Sequence, residues 1–147
     1  MKAGNRLKYN GLQISYVALK LLESDPKKFA NYCNGVGSQV GWLGRLIYHI
    51  IPNTIWFLDI TPASDIHDVE YSIPDEFESI SAAEKVFDET NLRLYNNIVT
   101  LIDRKGRGGL IYQMRMHRAG LYYDAVSGSS GWNSFISGKT IAGVKHK

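Results

Sequence analysis

Apolar positions recurring every third or fourth residue mark out helices along most of the chain. From Leu12 to Glu23, Leu12, Tyr16, Leu19 and Glu23 fall along one side of a helix, with Val17, Lys20 and Ser24 beside them. In "SDPKKF", Asp25 as N-cap and Pro26 at the first helical position predict that a second helix starts there. The clearest period begins at Ser81, where Ala83, Phe87, Leu94, Ile98 and Leu101 make a buried stripe. "SAAE" has the form of a capping box, with Ser81 accepting from the amide of Glu84 while Glu84 reaches back. This helix is expected to reach about Asp103, where "RKGRGG" stops it, and another follows through "LIYQMRMHRAGLYYDAV".

Between these stretches the period is lost. Cys33 to Gly44 reads "CNGVGSQVGWLG", a glycine-rich loop. "IIPNTIWFLDITP" continues it, and its two prolines leave room only for short turns of helix. Thr61 then caps a helix with Pro62 at its first position, which places His67 to Tyr71 well inside it, and "IPDEFES" interrupts the chain again. The tail "SGSSGWNSFISGKTIAGVKHK" reads as loop, and no stretch alternates convincingly as a strand. The expected fold class is mainly α.

There is no internal repeat and no linker long enough to divide the 147 residues, so one domain is expected. It comprises N-terminal helices over 1–32, a glycine-rich loop and connection over 33–60, core helices over 61–127 and a loop-like tail over 128–147. A hydrophobic fraction of 44% with 21% charged residues is that of a folded globular chain. A net charge of +3 permits an anionic partner without requiring one. Cys33 is the only cysteine, so no intrachain disulfide forms and nothing argues for an oxidising compartment. The basic, partly apolar start is interrupted by Gln13, Ser15 and Lys20, unlike a secretion signal. No run approaches the ~18 apolar residues of a membrane span. There is no phosphate-binding loop and no nucleophile elbow, and no nucleic-acid recognition motif is present. His49, His117 and His146 have no zinc-ligand spacing with Cys33.

The chemistry concentrates in "ASDIHDVEY" (63–71). At about 100° per residue, His67 and Tyr71 share one side of the helix, and Asp68 lies about 60° from Tyr71 and about 100° from His67. Ile66, Val69 and Ile73 are left to pack behind them. A neutral imidazole can take a proton from water near neutral pH. Asp68 offers hard carboxylate oxygens suited to Ca²⁺, which needs six or more oxygens, and a glycine-rich loop can add backbone carbonyls.

"CNGVGS" followed by "ASDIHDVEY" resembles the calcium loop and catalytic helix of the phospholipase A2 family. Gly35 and Gly37 match the Gly-x-Gly of that loop, with Ser38 for its last glycine. In the helix, His67, Asp68 and Tyr71 match the His-Asp-x-Cys-Tyr run, and Ala63 and Ser64 stand where the family has two cysteines. "IPNTIWFLDI" (51–60) brings the chain nearer to small, disulfide-poor phospholipase A2-like proteins of bacteria and phages. The resemblance covers Cys33 to Tyr71 and weakens in the following long helix. It implies two antiparallel long helices carrying the site, a metal loop and flanking helices.

By the same resemblance, His67 is the general base. Asp68 and the carbonyls of Cys33, Gly35 and Gly37 hold Ca²⁺, and the Gly35 amide helps to stabilise the oxyanion of the ester under attack. The family orients its histidine with an aspartate from the next long helix. Glu84 stands at that register here, with Asp88 one turn on as its rival. Glu70 occupies a position where the family has a cysteine. Without disulfides, the pairing of the two long helices falls to packing of Ile66, Val69, Phe87 and Leu94.

The expected partner is phospholipid or a membrane surface, not nucleic acid. Trp42, Trp56 and Phe57 are candidates for a lipid interface, against the alternative of core packing. Arg104, Lys105, Arg107, Arg115 and Arg118 are candidates for lipid headgroups, against a solvated helix face. The expected location is the cytoplasm or a phage particle. Two functions stand open: a calcium-dependent phospholipid acyl hydrolase, or a non-catalytic binding or structural protein, such as a phage particle component, on the same scaffold.

Overall fold

In the computed structural model, which describes residues 7–33, 54–55 and 58–144, the first element is set by Asn10 and Gly11. Both adopt positive φ, 51° and 78°, as a two-residue type I′ turn demands. They join β1 (Lys8–Tyr9) to β2 (Leu12–Gln13) in an antiparallel hairpin. Leu12 therefore belongs to a strand, not to the helix its spacing predicts. α1 starts later, at Tyr16–Ser24, with Ser15 Oγ accepting from the Ala18 amide at 3.2 Å. α2 (Pro26–Cys33) begins as expected, with Pro26 first and Asp25 Oδ1 accepting from the Lys28 amide at 3.0 Å.

A second hairpin pairs β3 (Thr54–Ile55) with β4 (Leu58–Asp59), where the prolines predict only helical turns. β-branched Thr54 and Ile55 suit a strand, and Ile55 and Leu58 are buried in the core. α3 (Thr61–Ser72) follows with Pro62 in its first turn. Its first amide, that of Thr61, is satisfied by Asp59 Oδ1 at 2.9 Å rather than by a cap from Thr61 itself. After β5 (Asp75–Phe77), α4 spans Ile80–Lys105. Its N-cap is Ser79, whose Oγ accepts from the Ala82 amide at 3.1 Å, so the capping box expected at Ser81 lies inside the helix.

α5 (Gly109–Ser127) follows as expected. The tail departs from expectation: it forms α6 (Ser129–Ile136) and β6 (Lys139–Ile141), which pairs in parallel with β5. Too short for a helical period to show, α6 is held by its aromatics. Phe135 is buried against Tyr71, Phe77, Phe87 and Trp132.

Six helices hold 71% of the described residues, so the molecule is mainly α. α3 lies between two apolar clusters. On one side Ala63 and Tyr71 join Phe87, Leu94, Ile98, Tyr122, Val126 and Phe135. On the other, Ile66 and Val69 join Leu12, Ile14, Ala18 and Phe29. α3 and α4 run antiparallel, since His67 meets Asn91 while Tyr71, one turn later, meets Phe87, one turn earlier. Of the four residues expected to hold that pair, Phe87 and Leu94 lie in the cluster with Tyr71. Ile66 and Val69 instead tie α3 to α1 and α2. Among the described residues no helix is long and apolar enough to cross a membrane.

Candidate active site

The helix carrying His67 is fastened by charge at its far end. Glu70 is buried, and its Oε1 accepts from Arg93 Nε of α4 at 2.9 Å and from the Ser15 amide at 2.8 Å. One carboxylate thus binds α3 to α4 and to the start of α1. Lys139 Nζ, buried at the head of β6, donates to the carbonyls of Glu70, Tyr71 and Ile73. These are carbonyls at the C-terminal end of α3, which helix geometry leaves without amide partners and which a cation suits. Burial lowers the Lys139 pKa to about 8, against the pull of Asp75 and Glu70. Glu70 thus links elements non-covalently from a position where the resemblance has a cysteine.

His67 faces α4 and is 3% exposed. Its Nε2 lies 3.0 Å from Asn91 Oδ1. Asn91 is fully buried, and the same Oδ1 accepts from Tyr71 OH at 2.7 Å. On its other side, Asn91 Nδ2 donates to the Val126 carbonyl at 3.3 Å. A carbonyl only accepts, so the amide nitrogen must face Val126 and the amide oxygen must face His67. An oxygen opposite Nε2 in turn requires a proton there. His67 is therefore the Nε2–H tautomer, and its Nδ1 carries the lone pair. Burial pushes the ring pKa down to about 4, with the Asn91 bond opposing and the Arg93 charge assisting. At neutral pH the ring is uncharged, the state in which an imidazole can accept a proton.

Asp68, the next residue, is half-buried, and its carboxyl is raised to about 8 by burial first and then by the Asp65 charge. Asp65 is itself raised, by burial and by Asp59. Cys33 sits at the end of α2 with Sγ 3.8 Å from the Asp65 carbonyl oxygen. Its thiol is pushed up to about 12 by burial and by the two aspartates. Cys33, Asp65 and Asp68 thus meet where α2 gives way to residues 34–53, and each resists negative charge. Among the described residues, no group of three or more His, Cys, Asp or Glu side chains is arranged to hold a metal. Gly35 and Gly37, expected to supply carbonyls and an amide, lie outside the described residues, as do Trp42, Trp56 and Phe57.

The expected partner of His67 is corrected. Glu84 and its rival Asp88 are exposed, and Asn91 holds the ring nitrogen, two turns beyond Glu84. The signal was present in the stripe itself. Asn91 stands four residues after Phe87 and three before Leu94, a polar side chain at a core position, and such a residue needs buried hydrogen-bond partners. Val126 carries no sequence signal, since its role is that of a backbone carbonyl. Part of the expected basic region is engaged within the protein: Arg104 donates to the Asn10 carbonyl at 3.0 Å, and Arg107 pairs with Asp103 at 2.7 Å. Comparison of the chain with protein-family models, curated proteins and solved structures finds no match.

Proposed function

We propose that the protein is a calcium-dependent hydrolase of phospholipid acyl esters, with His67 as general base. The observation that carries this reading is the hydrogen bond from His67 Nε2–H to Asn91 Oδ1, which leaves the Nδ1 lone pair on the residue preceding Asp68. Water attacking the ester carbonyl gives its proton to Nδ1. The imidazolium then returns that proton to the departing alcohol as the carbon–oxygen bond breaks, yielding a fatty acid and a lysophospholipid. Asp68, with the carbonyls of Cys33, Gly35 and Gly37, would hold Ca²⁺. A Ca²⁺ ion held there would supply positive charge to offset the oxyanion, and the Gly35 amide would donate a hydrogen bond to it.

The lipid partner draws support from α5, where Leu110 is 73% and Ile111 54% exposed. An open cleft of about 450 Å³ runs beside Leu110, Met114, His117, Arg118 and Leu121. Apolar side chains next to a cation suit an acyl chain below an anionic headgroup.

One observation favours the second reading, a non-catalytic scaffold. Asn91 is neutral, so its hydrogen bond favours the imidazolium formed during attack less than a carboxylate would, and burial outweighs that support and pulls the ring pKa down. The two readings separate on hydrolysis of mixed phosphatidylcholine–phosphatidylglycerol vesicles with Ca²⁺ or with a chelator. Release of fatty acid only with Ca²⁺, abolished in His67→Gln while circular dichroism is unchanged, is the expected result. No release by the wild type rejects the hydrolase, and equal release by His67→Gln rejects the assigned base.

A further inference from the structure

The last turn of α5 and the start of α6 meet at Val126 and Gly131. Val126 lies one residue from the end of α5, so its carbonyl is among those a helix leaves free for outside donors. Asn91 Nδ2 and Tyr71 OH each approach this oxygen to 3.3 Å. Gly131, buried in α6, is what lets the corner close. A methyl group there would overlap the Val126 carbonyl oxygen and stand 2.7 Å from its carbon. The obstruction is backbone, not the movable end of a side chain, so any side chain at 131 must displace either the carbonyl or α6.

We propose that this corner is a positioning device for His67: Gly131 lets the Val126 carbonyl reach Asn91, the carbonyl orients the Asn91 amide, and the amide fixes His67 as the Nε2–H tautomer. Gly131 and Val126 are positioning residues, 64 and 59 positions along the chain from the imidazole they set. The device also accounts for an amide at position 91. An ionised carboxylate there would turn an oxygen towards the Val126 carbonyl, two acceptors with no proton between them, whereas the amide satisfies both neighbours. The consequence for catalysis rests on the proposed function. The tautomer does not.

The test reads the ring nitrogens of His67 directly, by long-range ¹H–¹⁵N correlation of ¹⁵N-labelled full-length protein at neutral pH, alongside vesicle hydrolysis. In the wild type, Nε2 should show the shift of a protonated nitrogen and Nδ1 that of an unprotonated one. Gly131→Ala should move the two shifts towards each other and abolish the slowly exchanging Nε2–H signal. If Gly131→Ala does not fold, the Val126–Ser127 amide is replaced by an ester by incorporating the α-hydroxy acid analogue of serine at 127. This preserves the corner's shape but makes the carbonyl a poorer acceptor, and it should move the shifts in the same direction. A wild-type ring protonated on Nδ1 overturns the proposal. So do wild-type shifts retained in a folded Gly131→Ala or, where that variant does not fold, in the ester. A wild type that holds the Nε2–H tautomer but hydrolyses nothing supports the positioning device and rejects the hydrolase.

Discussion

Asn91 is the residue on which the site turns, because one buried amide serves His67, Tyr71 and the Val126 carbonyl together. Removing it leaves each of those three groups without this partner in the core, and an unsatisfied buried polar group costs about 1–3 kcal/mol. Asn91→Leu, of similar volume, should therefore destabilise by roughly 3 kcal/mol or more. Tyr71→Phe removes one donor but leaves Asn91 Oδ1 paired with His67, so its cost should be nearer 1 kcal/mol. Urea denaturation of the two variants measures the difference. Equal costs would show that Asn91 is not the shared partner. Reading such a residue from sequence requires treating a polar side chain inside an apolar stripe as informative. Glu84 stands at the register to which the phospholipase A2 resemblance points, but that position is solvent-exposed.

At the scale of elements, two buried charged side chains hold α3 in place. The Glu70–Arg93 pair joins α3 to α4, and Lys139 closes the carbonyl end of α3 from β6. Breaking a buried pair from one side leaves an uncompensated charge, at about 3–5 kcal/mol. Arg93→Met should approach that range, since Glu70 stays buried with its charged partner gone and only Ser15, through its amide and hydroxyl, still bonded to it. Arg93→Met together with Glu70→Gln should recover part of the loss, because the orphaned charge is gone. Thermal melts of the single and double variants test this. A double variant no more stable than Arg93→Met would mean that the pair contributes by shape and not by charge. Glu70 could be flagged from sequence as a charge at a position facing the core, but its partners lie 23 and 55 residues away in opposite directions along the chain.

At the scale of the whole molecule, the carboxyls around Asp68 couple stability to pH and to cations. Burial raises the Asp68 carboxyl to about 8 in the folded protein against 3.8 for a free one, so the folded state keeps a proton that the unfolded chain releases. Its contribution is greatest at low pH and is lost as pH rises from about 4 to 8. His67 acts in the opposite sense. It titrates near 4 folded against 6.5 unfolded, so acid favours the unfolded chain between those values. The two offset each other below pH 6.5, and between 6.5 and 8 the Asp68 effect is no longer opposed by His67. In chelator, the melting temperature should fall across that interval, and Asp68→Asn should flatten the fall. Under the calcium reading, millimolar Ca²⁺ should raise the wild-type melting temperature by mass action and spare Asp68→Asn. No calcium-dependent shift at pH 8, where Asp68 is ionised most readily, would count against the metal site.

What the sequence determined by itself was local. Asp25 and Pro26 start α2, the stripe through Phe87 and Leu94 makes α4, and the spacing of His67 and Tyr71 sets both against Asn91 on one side of α3. These follow from backbone geometry and a 3.6-residue period, which neighbouring residues suffice to express. The β1–β2 turn was equally local, since Asn-Gly is the strongest short hairpin signal, yet the apolar spacing from Leu12 onward hid it. Tertiary structure alone decided the rest. The tail became α6 and β6 because Phe135 and Lys139 find partners on α3, α4 and β5, and the histidine's partner became an amide because a carbonyl 35 residues further on faces it. A periodic pattern tells which way a side chain points, but only the packed chain sets what it meets there.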